Sequence, residues 1–441
     1  MPRPSIIAVL VALTTPGIIA AQAASAAKCA PDNAGLKLPA GFCASIFADS
    51  VRGARHLVVA PNGDVFVSTQ GRGGGVVALR PNQSGQAEAP KQFATGFASS
   101  EVALFEGYLY TEAFPAAPQG AAQGASAAPQ PVSILRYPLK PGDLTPSGPP
   151  DTIVTGLPGT PGHRTRNFAI TRDGILYVNV GSPTNSCQEK DRASASPGKN
   201  PCPELDTRAG VWKFDARKKN QTQQGGVHFA RGIRNAVGIA ISPLDGKLWT
   251  TQHGRDNLGG EGGNWSFDAK YNSENPAEEL MQVSQGDDYG WPYCYYSVEE
   301  HHLVLAPEYG GDGKMVEQCA QKKGPIATFP GHWAPNALFF YTGSAFPARY
   351  KNGAFIAFHG SWNRTGEPQA GFNVVFQPLS GEKSGGAYQV FADGFAPNLT
   401  TGRGSGGGNH RPTGLAQGTD GSLYVTDDAA GRIYKIIYTG K

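Results

Sequence analysis

Apolar and polar positions along the chain repeat one pattern six times. Each copy has an apolar run, then Asp, Asn or Glu followed by Gly, then a second apolar run with an aromatic residue near its start. Alternating apolar residues predict half-buried strands, and Gly supplies the positive φ angle of a tight turn, so each copy predicts a β-hairpin. The copies are residues 57–68, 102–112, 168–181, 239–252, 350–359 (the least regular) and 415–427.

Recurrence of one supersecondary unit indicates a repeat architecture. No long amphipathic helical pattern separates the hairpins, which favours a β-propeller over a solenoid. The copies lie farther apart than the ~40–50 residues of a compact four-stranded blade, in agreement with a loop-rich composition of 59 Gly and 35 Pro. The sequence therefore predicts an all-β fold, a six-bladed β-propeller with long inserted loops, as a single domain over residues 28–441.

The N-terminal residues are predicted to be a secretory signal peptide. Arg3 precedes an apolar run at 6–13, and Ala-x-Ala sequences follow at 21–23 and 24–26. The segment is too short and too rich in small residues for a membrane anchor. Residues 1–27 therefore predict export, to the periplasm or out of the cell.

The six cysteines fall into three local couples outside the hairpins. Export permits disulfides, and six cysteines allow fifteen pairings. We expect Cys29 with Cys43, Cys187 with Cys202 and Cys294 with Cys319, the alternative being that some remain free. No CxxC spacing is present, which argues against zinc binding or redox chemistry.

The charge of the chain excludes some partners. The formal net charge is +3, and Lys and Arg form no basic stripe. Nucleic-acid and membrane-surface functions therefore have little support.

Polar residues bracket the predicted hairpins. The start of a hairpin's first strand and the end of its second lie opposite the turn, so these residues are expected on one face of the ring. Five of the six units place Arg or His there. The bracketing residues are Arg55, His56, Arg72, His163, Arg164, Arg166, Asn167, Asn185, Arg234, Asn235, His253, Arg255, Asp256, His332, Asn336, His359, Trp362, Asn363, Arg364, Arg411, Asp427 and Asp428.

This composition indicates a particular kind of ligand. Planar guanidinium groups bind carboxylates bidentately, and Trp offers a face on which a flat ring stacks. A His among them could act as a general base near neutral pH. The predicted pocket suits a flat polycarboxylate with a reactive carbonyl, such as a quinone cofactor.

At these residues the chain resembles the pyrroloquinoline quinone (PQQ) dependent sugar dehydrogenase superfamily, and most of all its sorbosone dehydrogenase and pyranose dehydrogenase branch. The resemblance extends over roughly residues 30–440. The motifs that carry it are 162–167 (GHRTRN), 232–238 (GIRNAVG), 252–256 (QHGRD), 289–292 (YGWP), 359–364 (HGSWNR) and 411–421 (RPTGLAQGTDG).

The resemblance implies a role for each matching residue. His163 matches the catalytic base, which takes the sugar hydroxyl proton as hydride moves to the quinone. The backbone carbonyls of Gly254 and Arg255 match ligands of the Ca²⁺ that accompanies PQQ, and calcium prefers oxygen ligands. The implied cofactor contacts are Arg72, Arg166, Arg234, Asn235, Trp362, Asn363 and Arg411.

The implied activity is oxidation of an aldose or sugar aldehyde by a quinoprotein dehydrogenase. The chain has no CxxCH haem motif, so an external acceptor, a cytochrome or a quinone, is expected to receive the electrons. Glucose dehydrogenases carry Pro where this chain has Arg255, which weakens any transfer of glucose specificity.

Two other functions remain open. A metal-dependent sugar lactonase would need several carboxylates around one metal, and the Arg- and His-rich rim disfavours it. A propeller could also bind carbohydrate or protein without catalysis.

Overall fold

The computed structural model describes residue 1 and residues 29–71, 73–115, 131–159, 161–258, 265, 267–402, 404 and 408–440. Arg72 and residues 2–27 of the predicted signal peptide lie outside these residues. Within them, no helix combines the length and apolar character needed to cross a membrane.

Six sheets, numbered here as blades 1 to 6, form the fold that the hairpin pattern predicts, and their strands are antiparallel except that Gln221–Thr222 joins blade 2 in parallel. The strands of blade 1 are Ala54–Val59, Val65–Thr69, Gly75–Leu79 and Lys91–Phe93; of blade 2, Val102–Phe105, Tyr108–Pro115, Val132–Pro138 and Asp151–Leu157, with Phe97–Ala98 and Gln221–Thr222 added; of blade 3, Phe168–Ile170, Ile175–Val180, Gly210–Asp215 and Val227–Arg231; of blade 4, Ile239–Ile241, Leu248–Gln252, Glu278–Val283 and Ala327–Phe329; of blade 5, Pro335–Phe339, Gly353–Phe358, Asn373–Ser380 and Gln389–Ala392, with Lys383–Ser384 added; and of blade 6, Pro412–Gln417, Leu423–Asp427, Arg432–Tyr438 and Phe42–Ala48.

Regular structure outside the blades is short. The insertion between the third and fourth strands of blade 4 carries a separate hairpin, Cys294–Ser297 with His302–Leu305. A short α-helix, Ala269–Glu274, lies in the connection between the second and third strands of that blade. The 3₁₀ turns of the described chain are Asn33–Gly35, Pro203–Asp206, Gln223–Gly225, Pro307–Tyr309, Glu317–Gln321 and Ala348–Lys351.

The blades close into a ring. The first strand of each blade contacts the first strand of the next, and Pro412–Gln417 of blade 6 returns to Ala54–Val59 of blade 1. The N-terminal strand Phe42–Ala48 completes blade 6 by pairing with Arg432–Tyr438, with Phe42 opposite Tyr438. One apolar core fills each interface between neighbouring blades. This burial is what holds the ring together, because each blade has both of its faces covered by its two neighbours.

The predicted turns are confirmed in five hairpins and wrong in one. Gly63, Gly107, Gly174, Gly246 and Gly421 all have positive φ angles. The fifth hairpin instead pairs Pro335–Phe339 with Gly353–Phe358, and the 3₁₀ turn Ala348–Lys351 lies in the connection.

Close packing explains the misleading glycine of that copy. A Cβ on Gly353 would lie 2.4 Å from both the Gln377 carbonyl oxygen and the Phe376 ring. Gly353 is therefore required by the close approach of the next strand, and it makes no turn. Tyr350, which began the supposed first strand, is buried in the core between blades 5 and 6.

The expected cysteine pairing is confirmed. Disulfides join Cys29 to Cys43, Cys187 to Cys202 and Cys294 to Cys319. The second closes the loop that follows blade 3's hairpin, and the third fastens the insertion of blade 4.

Candidate functional site

A polar cavity of about 250 Å³ lies where strand ends of blades 3, 4 and 5 converge, and the bracketing residues of blades 1 and 6 do not line it. Five of the predicted site residues line it. Other lining residues come from the loops that carry Arg192 and Ala334. The lining consists of His163, Arg192, Arg234, His253, Gly254, Asp256, Glu278, His332, Ala334, Trp362 and Asn363.

His163 is held in one tautomer. Its Nδ1 lies 2.9 Å from the Ser182 carbonyl oxygen, which can only accept, so Nδ1 carries the proton. Nε2 has no hydrogen-bond partner among the described residues. Burial, aided by the charge of Arg234, lowers the pKa of His163 well below its usual range. At neutral pH, Nε2 is therefore an uncharged acceptor, as a general base must be.

Glycine allows His163 to sit this close to its neighbours. A Cβ on Gly181 would lie 2.8 Å from the His163 Cβ and 2.6 Å from the Asn235 Oδ1. Any side chain there would displace one of the two residues.

Arg234 ties three segments together beneath the cavity. It is 4% exposed, and its Nε donates to the Asn185 carbonyl at 3.2 Å. Nη1 donates to the Gly254 carbonyl at 2.8 Å, and Nη2 donates to Asn185 Oδ1 at 3.0 Å. Burial lowers the pKa of Arg234. Its fixed fork supplies positive charge to the cavity wall.

Asp256 joins two arginines and an amide. Its Oδ2 accepts from Arg192 Nη2 at 2.8 Å and from Arg234 Nη2 at 3.2 Å, and its Oδ1 accepts from Asn363 Nδ2 at 2.7 Å. Burial favours the protonated acid, but the Arg234 and Arg192 charges hold the pKa of Asp256 below its usual range. The group is an anion that fixes the positions of its three donors.

Glu278 supports the loop at Gly254. Its Oε2 accepts from the Gly254 N–H at 2.9 Å, and its Oε1 accepts from the Ala334 N–H at 3.1 Å. Burial raises the pKa of Glu278 to about 7 and that of the adjacent Glu279 to about 8. The wall near Gly254 thus carries the carboxyl groups of Glu278 and Asp256, whereas Glu279 is not part of the lining.

The donor set fits calcium and a planar anion. The Gly254 carbonyl and the carboxyl groups of Asp256 and Glu278 place oxygen donors on one wall, and a hard cation prefers oxygen donors. No hydrogen bond from a described residue ends on the Arg255 carbonyl. Trp362 is 42% exposed at the mouth, with a face available for stacking.

Two of the predicted contacts, Arg166 and Asn235, lie beside the cavity lining. Arg166 is fully buried and donates to the carbonyls of His163, at 2.8 Å, and Thr165, at 2.7 Å. Asn235 is also buried, and its Oδ1 accepts from Asn179 at 3.1 Å. Arg166 Nη1 thus braces the His163 segment, and Asn235 Oδ1 is engaged by Asn179 of blade 3, whereas Arg166 Nε is buried without a hydrogen-bond partner among the described residues.

Arg411 and Arg255 are likewise engaged by the protein. Arg411 donates to the carbonyls of His359, at 2.9 Å, and Gly360, at 2.6 Å. The Arg255 side chain forms a buried ion pair with Glu308. The backbone carbonyl of Arg255 is therefore available to the site, while its guanidinium holds the loop.

Arg192 is a lining residue that the sequence pattern missed. It lies in the loop between Cys187 and Cys202, away from any strand end, so the hairpin argument did not reach it. Two cysteines fifteen residues apart around an arginine were the available signal.

The fold and the cavity together define the class of this protein: a six-bladed propeller with a polar, arginine- and histidine-lined cavity on its strand-end face. The chain belongs to the TrAA12-like family, whose model matches residues 36–439. This confirms the family resemblance that the motifs predicted.

Curated relatives are similar to parts of the chain. A PQQ-dependent pyranose dehydrogenase from Coprinopsis cinerea is 28% identical over 321 residues, which are 65% of this chain and 41% of that protein. A PQQ-dependent sugar dehydrogenase from Hypocrea jecorina is 24% identical over 306 residues, 64% of each chain. The chain thus spans less than two thirds of the length of these relatives.

Solved structures confirm the fold. The holo form of the pyranose dehydrogenase PQQ domain from Coprinopsis cinerea has a TM-score of 0.70 at 20% identity, covering 91% of this chain and 97% of that one. A calcium structure of a Trichoderma reesei family AA12 carbohydrate-active enzyme has a TM-score of 0.69 at 19% identity, covering 92% and 97%.

Proposed function

We propose that this protein is a PQQ-dependent dehydrogenase that oxidises a sugar or sugar aldehyde and passes the electrons to an external acceptor, a cytochrome or a quinone. The observation that carries the proposal is the fixed, uncharged His163, whose Nε2 faces no described partner in a cavity lined by arginine and Trp. Family membership and the PQQ-dependent relatives support the same reading.

Different residues of the chain are assigned to proton removal, cofactor binding and positioning. His163 Nε2 takes the proton of the substrate hydroxyl, while the hydrogen of the adjacent carbon leaves with two electrons, so that an anomeric hydroxyl becomes a lactone carbonyl. The cofactor is held by Arg234, Trp362 and Asn363. Arg166 fixes the backbone carbonyl of His163 and so positions that residue. Bound PQQ supplies the quinone that accepts the electrons, and Ca²⁺ supplies a Lewis acid.

Asn235 and Arg411 are assigned to shaping the same face, and Arg72 stays a predicted cofactor contact. The carbonyls of Gly254 and Arg255 are the proposed calcium ligands, assisted by the neighbouring carboxylates. Export to the periplasm or the cell exterior is part of the proposal, since the predicted signal peptide and three disulfides both favour an oxidising compartment.

Reconstitution tests the proposal. Purified protein is loaded with PQQ and Ca²⁺, and dye reduction is followed across a panel of aldoses and sugar aldehydes. We expect activity that falls by about 10²–10⁴-fold in His163→Asn. His302→Asn, at an exposed surface histidine, is the matched control and should retain activity.

Other outcomes identify the alternatives. Absence of PQQ binding would overturn the dehydrogenase assignment and favour a binding propeller. Metal-dependent hydrolysis of a sugar lactone without PQQ would favour a lactonase. Full turnover by His163→Asn would remove His163 from the role of base.

A further inference from the structure

We propose that Arg192 is a substrate-binding residue that contacts the sugar at the mouth of the cavity, on a loop clamped by the Cys187–Cys202 disulfide. This inference rests on the proposed function. It assigns a role to a segment that lies outside the strand ends of the blades.

The size of the cavity places the sugar at its mouth. A volume of about 250 Å³ is below the ~300–1,000 Å³ of pockets that enclose one small molecule. A cofactor and a sugar together therefore exceed it, and part of the sugar must contact the exposed part of the lining. The exposed lining residues are Arg192, whose side chain is 40% exposed, and Trp362, which is 42% exposed.

Arg192 has donors to offer. Its Nη2 donates to Asp256 Oδ2 at 2.8 Å, while its Nε is 3.9 Å from the Asp191 carboxylate, beyond hydrogen-bonding distance. Asp256 also accepts from Arg234 and Asn363. Arg192 can therefore turn towards a ligand without leaving the Asp256 charge unpaired.

The backbone at Arg192 is fixed in an unfavourable conformation. Its φ angle is +59°, in the left-handed region that non-glycine residues rarely adopt. The Arg192 N–H donates to Oε1 of Gln188 at 2.9 Å, and Gln188 is 1% exposed. The Gly198 N–H donates to the Glu308 carbonyl at 3.0 Å. The disulfide and these bonds hold the loop against the insertion of blade 4, so the arginine is presented from a rigid support.

This arrangement separates the task of Arg192 from that of His163. Arg192 lies at the entrance and would donate to sugar oxygens other than the hydroxyl that loses its proton. Its planar fork can bridge two adjacent acceptor oxygens in a fixed geometry, which the rotatable ammonium group of lysine does not impose. Loss of Arg192 should therefore weaken sugar binding and leave proton removal and cofactor binding in place.

The experiment compares Arg192→Ala and Arg192→Lys with Arg217→Ala. Arg217 is an equally exposed arginine in an ion pair with Glu106, at the turns of blades 2 and 3. The measurements are kcat and KM for the best sugar of the panel, and the Kd for PQQ from fluorescence titration of apoprotein with Ca²⁺. For Arg192→Ala we expect KM to rise about 10-fold or more, with kcat and the PQQ Kd within about threefold of the starting protein.

The controls separate failure of the Arg192 assignment from failure of the proposed dehydrogenase function. Arg192→Lys should recover part of the lost affinity, and Arg217→Ala should leave every parameter unchanged. An unchanged KM in Arg192→Ala would overturn the inference, as would a PQQ Kd that rises by the same factor as KM. If the unmodified protein neither binds PQQ nor reduces the dye, the proposed function itself fails.

Discussion

The buried ion pair between Arg255 and Glu308 should dominate the stability of the loop that carries Gly254 and Asp256. The two side chains are 3% and 0% exposed. Glu308 also accepts from the Ser186 hydroxyl at 3.1 Å, and Nη2 of Arg255 is buried without a hydrogen-bond partner among the described residues. The pair joins the blade 4 insertion, which the Cys294–Cys319 disulfide closes, to the proposed metal-binding segment. Neither charge has water to replace its partner.

Glu308→Gln measures how much the carboxylate charge of that ion pair contributes to stability. The glutamine keeps the shape of the side chain and an oxygen for Ser186, but it leaves the Arg255 cation buried and unpaired. Breaking one side of a buried pair lowers the free energy of unfolding by about 3–5 kcal/mol. The double variant Arg255→Met/Glu308→Gln removes both charges, so it should be more stable than Glu308→Gln alone.

Urea unfolding of the apoprotein measures these effects, because apoprotein excludes the stabilisation that bound ligands would add. Trp fluorescence and circular dichroism should report one transition with an unchanged m-value. The matched control is Glu106→Gln, which removes the charge of the exposed Arg217 pair and should change stability little. If Glu308→Gln destabilises the protein no more than this control does, the argument from burial is wrong.

Three further predictions concern the base, a buried acid and the closing strand. Because burial and Arg234 lower the pKa of His163, kcat/KM should be flat above pH 6.5 and fall only in more acidic solution; an acid limb centred above pH 6.5 would contradict this. Burial raises the pKa of Glu112 from 4.5 to about 7, so the folded state holds an extra proton between those values and stability falls as pH rises through them. Glu112→Gln should remove this contribution, on the order of 2 kcal/mol between pH 5 and pH 8 in urea titrations, and leave the slopes that Glu278 and Glu279 add in the same range. Phe42→Ala should lower the free energy of unfolding by about 3–5 kcal/mol, since Phe42 packs edge-on against Phe346 and Phe391 at 4.8 and 5.0 Å.

The hairpin pattern by itself determined the number of blades and the face that carries the cavity. These features are local, because a turn glycine and the apolar alternation around it specify a hairpin without reference to the rest of the chain. The place of His163, Arg234, Trp362 and Asn363 followed, since residues at strand ends of successive blades must meet on one face. Gly353 shows where this local argument fails. Glycine is required there because the next strand, at Gln377 and Phe376, leaves no space for a Cβ atom.

Only the tertiary structure decided which polar groups face the cavity and which are hydrogen-bonded or ion-paired within the protein. The guanidinium of Arg166 is directed at backbone carbonyls, and that of Arg255 is paired with Glu308, 53 positions away. Arg192 reaches Asp256 from 64 positions away because a disulfide-closed loop folds over the strand ends. Such partners depend on distances set by the ring, and no periodicity along the chain encodes them. The sequence determined the hairpins and hence the rim, whereas long-range packing determined the site.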